Sequence, residues 1–290
     1  MMELDAATAR KIIDAQFPDY ANLSLKPIVS GGTDNTMFRL GDRLCARFPK
    51  REEAVPQIAK EQVWLPRLTP LPLNIPVPVG HGIATELFPH PWSIYEWLPG
   101  ASLIESEVRD WRQAATTLAD FVLSLQAKDV RSAPLAGPQN HYRGVELEQR
   151  DRLTRAAITG LSDAYSETSL LRVWDHALRA PKHDGPPVWL HGDLQGGNIL
   201  VDGGHLSAVI DFGLSGVGDP ACDLMVAWSV LPKSVRPLFR AEIEASENRW
   251  VRGQGWALSV SVIALEYYRG RNETLSQISR KTIEAILDDF

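Results

Sequence analysis

The spacing of apolar positions changes character along this chain of 290 residues. Up to about residue 100, short apolar or β-branched runs are broken by glycine and proline, whereas beyond residue 108 apolar residues recur at helical intervals in one segment after another. Residues 5–17 place Ala7, Ile12, Ile13 and Ala15 among polar neighbours, with Asp5 positioned to cap the first turn, which predicts a helix. Residues 25–30, 36–40 and 43–48, separated by Gly31-Gly32 and Gly41-Asp42, predict three antiparallel strands. A helix is expected over 51–68, where Val55, Ile58, Ala59, Val63 and Leu65 share a face and Pro56 fits only in the first turn or at a bend. Pro70, Pro72, Pro76 and Pro78 mark an extended connector, and residues 79–87 and 92–97 complete a small sheet. Pro99-Gly100 then gives a turn.

Helical patterns follow at about 108–127, 146–158, 168–178, 221–230, 234–247, 250–268 and 275–288, with short strands at 199–202 and 206–210. The apolar stretch 256–265 is shorter than the roughly 20 residues a bilayer span needs and reads as a buried helix. The pattern therefore predicts an α+β chain: an N-terminal sheet with one helix over residues 1–98, a connecting segment near 94–100, and a helical region over 99–290.

Composition adds constraints. Hydrophobic residues at 44% and charged residues at 23% suit a globular domain, and a net charge of −6 argues against a nucleic-acid partner and for a cationic one. Cys45 and Cys222 have no Cys or His neighbours at metal-ligand spacing, so neither a disulfide framework nor a zinc site is expected. The first residues lack a basic segment followed by an apolar core. A cytoplasmic protein with no membrane association is expected, and the oligomeric state is left open.

The chemistry concentrates in His191-Gly192-Asp193-Leu194-Gln195-Gly196-Gly197-Asn198-Ile199-Leu200, followed by Ile210-Asp211-Phe212-Gly213. Any one of these acidic residues alone reads as a turn or cap, but their joint occurrence at this spacing does not. Kinase catalytic loops carry an Asp that accepts the proton of the attacking hydroxyl, an Asn five positions on that holds magnesium, and a second metal-binding Asp before Phe-Gly. The order His-Gly-Asp, with Gly-Asn-Ile-Leu and Ile-Asp-Phe-Gly, resembles the aminoglycoside phosphotransferase family of small-molecule kinases. Family members often carry His and Pro where this chain has Gln195 and Gly196. The resemblance implies a two-lobed protein-kinase-like fold with a nucleotide between the lobes, and it casts Asp193 as catalytic residue and Asn198 and Asp211 as magnesium ligands.

It also implies nucleotide-binding residues. Arg47 stands where relatives carry a basic residue, commonly Lys, on the phosphates, and Glu61 is the carboxylate that would hold it, with Glu52 and Glu53 as rivals. Gly31, Gly32 and Thr33 form either an ordinary hairpin turn or a turn that lets backbone amides approach the phosphates. Glu96 and Leu98, in the segment 93–100, would supply main-chain contacts to the base. Few residues separate Asp211-Phe212-Gly213 from Asp219-Pro220-Ala221, leaving no room for the activation segment with which protein kinases dock a polypeptide. The expected reaction is transfer of the γ-phosphoryl group of ATP, or GTP, to a hydroxyl of a small molecule. An aminoglycoside is the leading acceptor, a macrolide or other small metabolite is the alternative, and a nucleotide-binding regulator without turnover is a reading of another class. The acidic end Asp288-Asp289-Phe290 is a further place where a cationic ligand would offset charge at a helix C-terminus.

Overall fold

The structure, a computed structural model, describes residues 4–28 and 34–290. The chain forms two compact units, Met1–Pro99 with Ala208–Gly213, and Gly100–Ser207 with Leu214–Phe290.

In the first unit, helix α1 (Ala6–Gln16) begins at Asp5, whose carboxylate accepts from the Thr8 N–H at 2.6 Å. Its buried face, Ala9, Ile12 and Ile13, follows the three- and four-residue spacing of the sequence. Strands β1 (Leu25–Ile28), β2 (Asn35–Leu40), β3 (Leu44–Pro49), β4 (Pro78–Gly82) and β5 (Trp92–Glu96) make one antiparallel sheet in the order β1-β2-β3-β5-β4. Successive side chains of a strand point to opposite faces. Ala46 and Phe48 of β3 therefore join Phe38, Trp92, Ile94 and the α1 face in a dry core, where Phe48 stacks on Trp92 at 4.5 Å between ring centroids. Arg47, between them, points the other way, toward helix α2 (Val55–Leu68), which starts with Pro56 in its first turn as the sequence requires. The strand expected over 79–87 stops at Gly82, because Thr85 and Phe88 exchange main-chain hydrogen bonds in a turn. Residues 208–213 are tied to this unit by the Val209 N–H, which donates to the Asn74 carbonyl at 2.9 Å.

The second unit is mainly helical. Strand β6 (Ala101–Ser102) pairs with β8 (Ile199–Asp202), itself a neighbour of β9 (His205–Val209), and β7 (Val188–Leu190) pairs with β10 (Gly216–Gly218). Gly100 precedes β6 at φ +110, where an added Cβ would stand 2.7 Å from the Val201 carbonyl oxygen, so the expected turn needs a glycine for both reasons. The helices are α3 (Trp111–Gln126), α4 (Asp151–Gly160), α5 (Glu167–Arg179), α6 (Val226–Ser229), α7 (Arg236–Glu242), α8 (Glu247–Tyr268) and α9 (Glu273–Asp289). Helix α8 is buried on most of its surface, including Trp256, Leu258 and Val262, as the apolar stretch foretells. Three expected helices begin differently, and one of them, 234–247, opens with the 3-10 turn Lys233–Val235 before α7 and stops at Glu242. The segment 221–230 is a tight 3-10 turn, Cys222–Met225, before the short α6, and 146–158 opens with the 3-10 turn Leu147–Arg150 before α4. These last two turns aim a buried charged side chain, Asp223 and Arg150, inward.

At the chain end the acidic residues are met from within. Asp289 accepts from Arg236 Nη1 at 2.6 Å and Trp228 Nε1 at 3.0 Å, and Asp288 accepts from Lys233 Nζ at 2.9 Å. These cations supply positive charge at the place where the sequence offered room for a cationic ligand. Among the described residues no helix is long and apolar enough to cross a membrane.

Candidate active site

The sequence-derived residues gather in two clusters, one in each unit. In the first, Arg47 and Glu61 are both buried. Arg47 Nη1 donates to the two carboxylate oxygens of Glu61 at 2.9 and 2.7 Å, and the Tyr95 hydroxyl donates to Glu61 Oε2 at 2.6 Å. Glu52 and Glu53, the rival carboxylates, are exposed. With its amide oxygen turned inward, Asn35 on β2 accepts from Arg47 Nη2 and Nε at 2.9 and 3.0 Å. Burial opposes the Arg47 charge, but Glu61, with Tyr95 and Asp211, outweighs it and lifts the guanidinium above its ordinary pKa. Burial, then Glu61, pushes the Tyr95 hydroxyl well up, so it stays a donor.

Asp211 lies in the same unit. Its Oδ1 is 3.6 Å from Arg47 Nη2, half of its side chain is exposed, and its backbone sits at φ +65, a conformation that costs a non-glycine residue energy. Lys60, one position before Glu61, donates to the Gly213 carbonyl at 2.6 Å and so fastens the turn that carries Asp211. Burial lowers its pKa to about 8, against the pull of Glu61 and Asp211. Glu96 is exposed at the end of β5 opposite Leu44, Leu98 is half-buried two residues on, and between them the Trp97 N–H is spent on the Arg43 carbonyl. Gly31, Gly32 and Thr33 lie outside the described residues.

In the second unit the loop after β7 carries Asp193 and Asn198. Gly192 holds the loop at φ +80, and a Cβ there would meet the Leu214 carbonyl oxygen at 2.5 Å, so both the backbone conformation and the space require glycine between His191 and Asp193. Asp223, fully buried on its 3-10 turn, accepts from the N–H groups of His191 and Gly192 at 2.7 and 2.8 Å. Burial raises its pKa in spite of these donors and of His191. His191 is itself buried, and its Nδ1 accepts from the Asp193 N–H at 3.2 Å, so the ring braces the loop. Asn198 Nδ2 donates to both the Asp193 carbonyl and Asp193 Oδ2 at 2.9 Å. That leaves the Asn198 amide oxygen as an acceptor. The Asn198 oxygen and the Asp211 carboxylate are hard oxygen donors of the kind magnesium takes one or two of from a protein.

Several contributors escaped the sequence reading. Lys60 carries no signal in the sequence that sets it apart from other helix lysines. Asp223 has partners 32 and 31 positions upstream, out of reach of local sequence patterns. Arg143, whose Nη2 lies 3.6 Å from Asp193 Oδ1, sits in an aperiodic stretch that gave no signal. A cavity of about 530 Å³ in the second unit is lined by Glu146, Glu148, Lys182, His183, Asp219 and Arg252 among others, but by neither Asp193 nor Asn198. It stands apart from this loop.

An antiparallel sheet with a helix holding a buried Arg–Glu pair, followed by a helical unit with a His-Gly-Asp loop, defines a protein-kinase-like α+β fold. The model of the phosphotransferase enzyme family matches residues 25–257, and the chain belongs to that family: it is a phosphotransferase. Among solved structures it is similar to a point mutant of aminoglycoside 2′-phosphotransferase IIIa in complex with GDP, at 19% identity and TM-score 0.77, over 98% of both chains. The GDP and kanamycin complex of APH(2″)-IIIa matches at 19% identity and TM-score 0.73, over 97% of this chain and 99% of that one. A thermostable mutant of aminoglycoside phosphotransferase APH(4)-Ia with ADP and hygromycin B matches at 16% and 0.62, over 96% and 98%. At these identities the likeness establishes the fold. No curated protein matches the sequence.

Proposed function

We propose that the protein transfers the γ-phosphoryl group of ATP or GTP to a hydroxyl of a small molecule, with Asp193 as the catalytic base. The single observation that carries this reading is the pair of hydrogen bonds from Asn198 Nδ2 to the carbonyl and Oδ2 of Asp193, which fixes the carboxylate while Oδ1, 3.6 Å from Arg143 Nη2, keeps a lone pair for an acceptor. In the reaction the hydroxyl gives its proton to the Asp193 carboxylate as its oxygen bonds to the γ-phosphorus, and the bond from that phosphorus to the leaving nucleoside diphosphate breaks. Arg47, held by Glu61, steadies the phosphates with a permanent charge and a planar fork of donors. Glu96 and Leu98 offer main-chain groups to the base, and Gly31, Gly32 and Thr33 are retained as the phosphate-approaching turn. Asn198 and Asp211 are the protein ligands we assign to magnesium. When bound, the metal neutralises charge developing on the phosphates.

A small acceptor is favoured because the chain runs from Phe212-Gly213 directly into β10 at Gly216, with no segment to dock a polypeptide. Aminoglycosides are the leading class, because similar structures hold kanamycin or hygromycin B. Residues 1–98 would serve as the nucleotide-binding lobe and 99–290 as the acceptor-binding lobe, in a cytoplasmic enzyme. The test is magnesium-dependent nucleotide consumption by the purified protein across aminoglycosides, macrolides, amino alcohols and sugars, with Asp193→Ala as control. Phosphorylated product from one acceptor, absent in the control, is expected. Equal turnover by the control would overturn the role of Asp193.

A further inference from the structure

The loop that carries Arg143 is held in an unusual backbone conformation by a set of hydrogen bonds. Asn140, wholly buried, accepts from the Gly137 N–H at 2.9 Å through Oδ1 and donates to the Arg143 carbonyl at 2.9 Å through Nδ2. Arg150 Nη1 donates to the His141 carbonyl at 3.0 Å, and the Tyr142 N–H donates to the Gly137 carbonyl at 2.7 Å. Under these restraints His141 and Tyr142, neither a glycine, stand in succession at φ +51 and +58. Such strain persists only where the surroundings over-determine it. Its product is the placement of Arg143.

The Arg143 side chain is only 11% exposed, and its Nε and Nη1 are buried without a hydrogen-bond partner among the described residues. Leaving buried donors unmade is destabilising, and Arg143 is the arginine with two such nitrogens. Arg143 directs its remaining nitrogen, Nη2, at Asp193 Oδ1, the carboxylate oxygen that Asn198 does not hold. Its Cβ and Cγ also lie where a side chain on Gly192 would go, at 3.1 and 3.3 Å from the position of an added Cβ, so its stem closes one side of the His-Gly-Asp loop.

We infer that Arg143 is a positioning residue for Asp193: with Asn198 on Oδ2 and the Arg143 guanidinium beside Oδ1, the carboxylate is held in one orientation toward the acceptor. The inference rests on the proposed role of Asp193. It adds that the orientation of this group depends on an arginine from outside the catalytic loop, set in place by a strained turn 50 positions upstream.

The test is a cycle of Arg143→Met, Asp193→Asn and the double variant, read first by thermal unfolding. Methionine keeps the apolar stem and removes the orphaned donors. Arg143→Met is expected to unfold at or above the wild-type temperature. Asp193→Asn, which strands the guanidinium without its counter-charge, is expected to unfold lower, and the double variant to recover. A lower unfolding temperature for Arg143→Met that simply adds to that of Asp193→Asn would overturn the inference, since it describes an arginine that stabilises the fold on its own account. The second reading is release of nucleoside diphosphate from magnesium-ATP and magnesium-GTP with water or kanamycin as acceptor. Arg143→Met should lower kcat about ten- to a hundredfold with the nucleotide KM unchanged, Arg143→Lys should recover part of that loss, and neither change should lower turnover further when combined with Asp193→Asn. Full turnover in Asp193→Asn would instead remove the role of Asp193 itself, an outcome that the unfolding cycle does not mimic.

Discussion

The two clusters treat charge in opposite ways. In the first unit, Arg47 is finished: its counter-charge Glu61, the Tyr95 hydroxyl and the Asn35 amide satisfy one another, and the guanidinium is held charged at any ordinary pH. In the second unit, the loop main chain is firmly braced through Asp223 and His191, while the side chains at its tip are left incomplete, with Asp193 partly exposed and Arg143 carrying unmatched donors. The difference follows what each proposed role demands. A group that steadies phosphates works by being fixed and charged before the ligand arrives, whereas a group that receives a proton needs an unspent lone pair facing the reactant.

The strongest way to break this comparison is Asp193→Ala. If the open cluster is the reacting one, turnover falls by about 10²- to 10⁴-fold, the usual worth of a general base, while nucleotide affinity measured by calorimetry or fluorescence changes little. A comparable loss of nucleotide affinity would mean that the second cluster also binds phosphate. The next effect is on stability. Glu61→Ala leaves the Arg47 guanidinium buried without its counter-charge, which should cost about 3–5 kcal/mol in denaturant unfolding. Converting the pair together, Arg47→Met with Glu61→Leu, should recover most of that stability and still bind nucleotide poorly. Recovery of both properties would show that the pair serves the fold alone.

Asp223→Asn sharpens the comparison from the other side. An asparagine accepts through one atom only, so one of the N–H groups of His191 and Gly192 loses its acceptor, at about 1–3 kcal/mol. The pH dependence has a definite sign. Burial raises the Asp223 pKa above its ordinary value of 3.8, so the folded chain keeps this proton longer than the unfolded chain does. The group's contribution is therefore fully present below 3.8 and is lost as pH rises through the raised folded value. That decline should vanish in Asp223→Asn, as followed by chemical denaturation at a series of acidic pH values.

What was legible in the sequence was what local rules control. Asp5 at its cap, Pro56 in the first turn of α2 and the apolar run of α8 each act over a few residues, and the structure realises them directly. The His-Gly-Asp and Asp-Phe-Gly segments were equally readable, since their residue types and spacing carry their chemistry. The partners that make these segments work were not. Asp223 gave no local sign of its acceptor role, which depends on backbone amides far upstream in sequence. Arg143 lies in a stretch without periodicity, where positive φ angles fall on His141 and Tyr142, residues that announce no turn, and Gly144 marks only a break.

The smallest effect tests whether the first cluster is as complete as it looks, because Lys60 carries its charge there against burial. The ammonium donates to the Gly213 carbonyl, yet burial brings its pKa from 10.5 to about 8 against the attraction of Glu61 and Asp211. Between those two values the unfolded chain holds a proton that the folded chain has released, so this group makes stability rise with pH from about 8 to 10.5 and fall again as pH drops back through 8. Other buried groups work against it at the upper end: burial lifts Cys45 to about 11 from 9.0, which makes stability fall as pH rises above 9. The measurement is therefore the difference in unfolding free energy between wild type and Lys60→Met, pH by pH. That difference should move in favour of wild type between about 8 and 10.5. A flat difference would mean that Lys60 reaches water in the folded chain, and that the turn bearing Asp211 is fastened less tightly than its hydrogen bond to Gly213 implies.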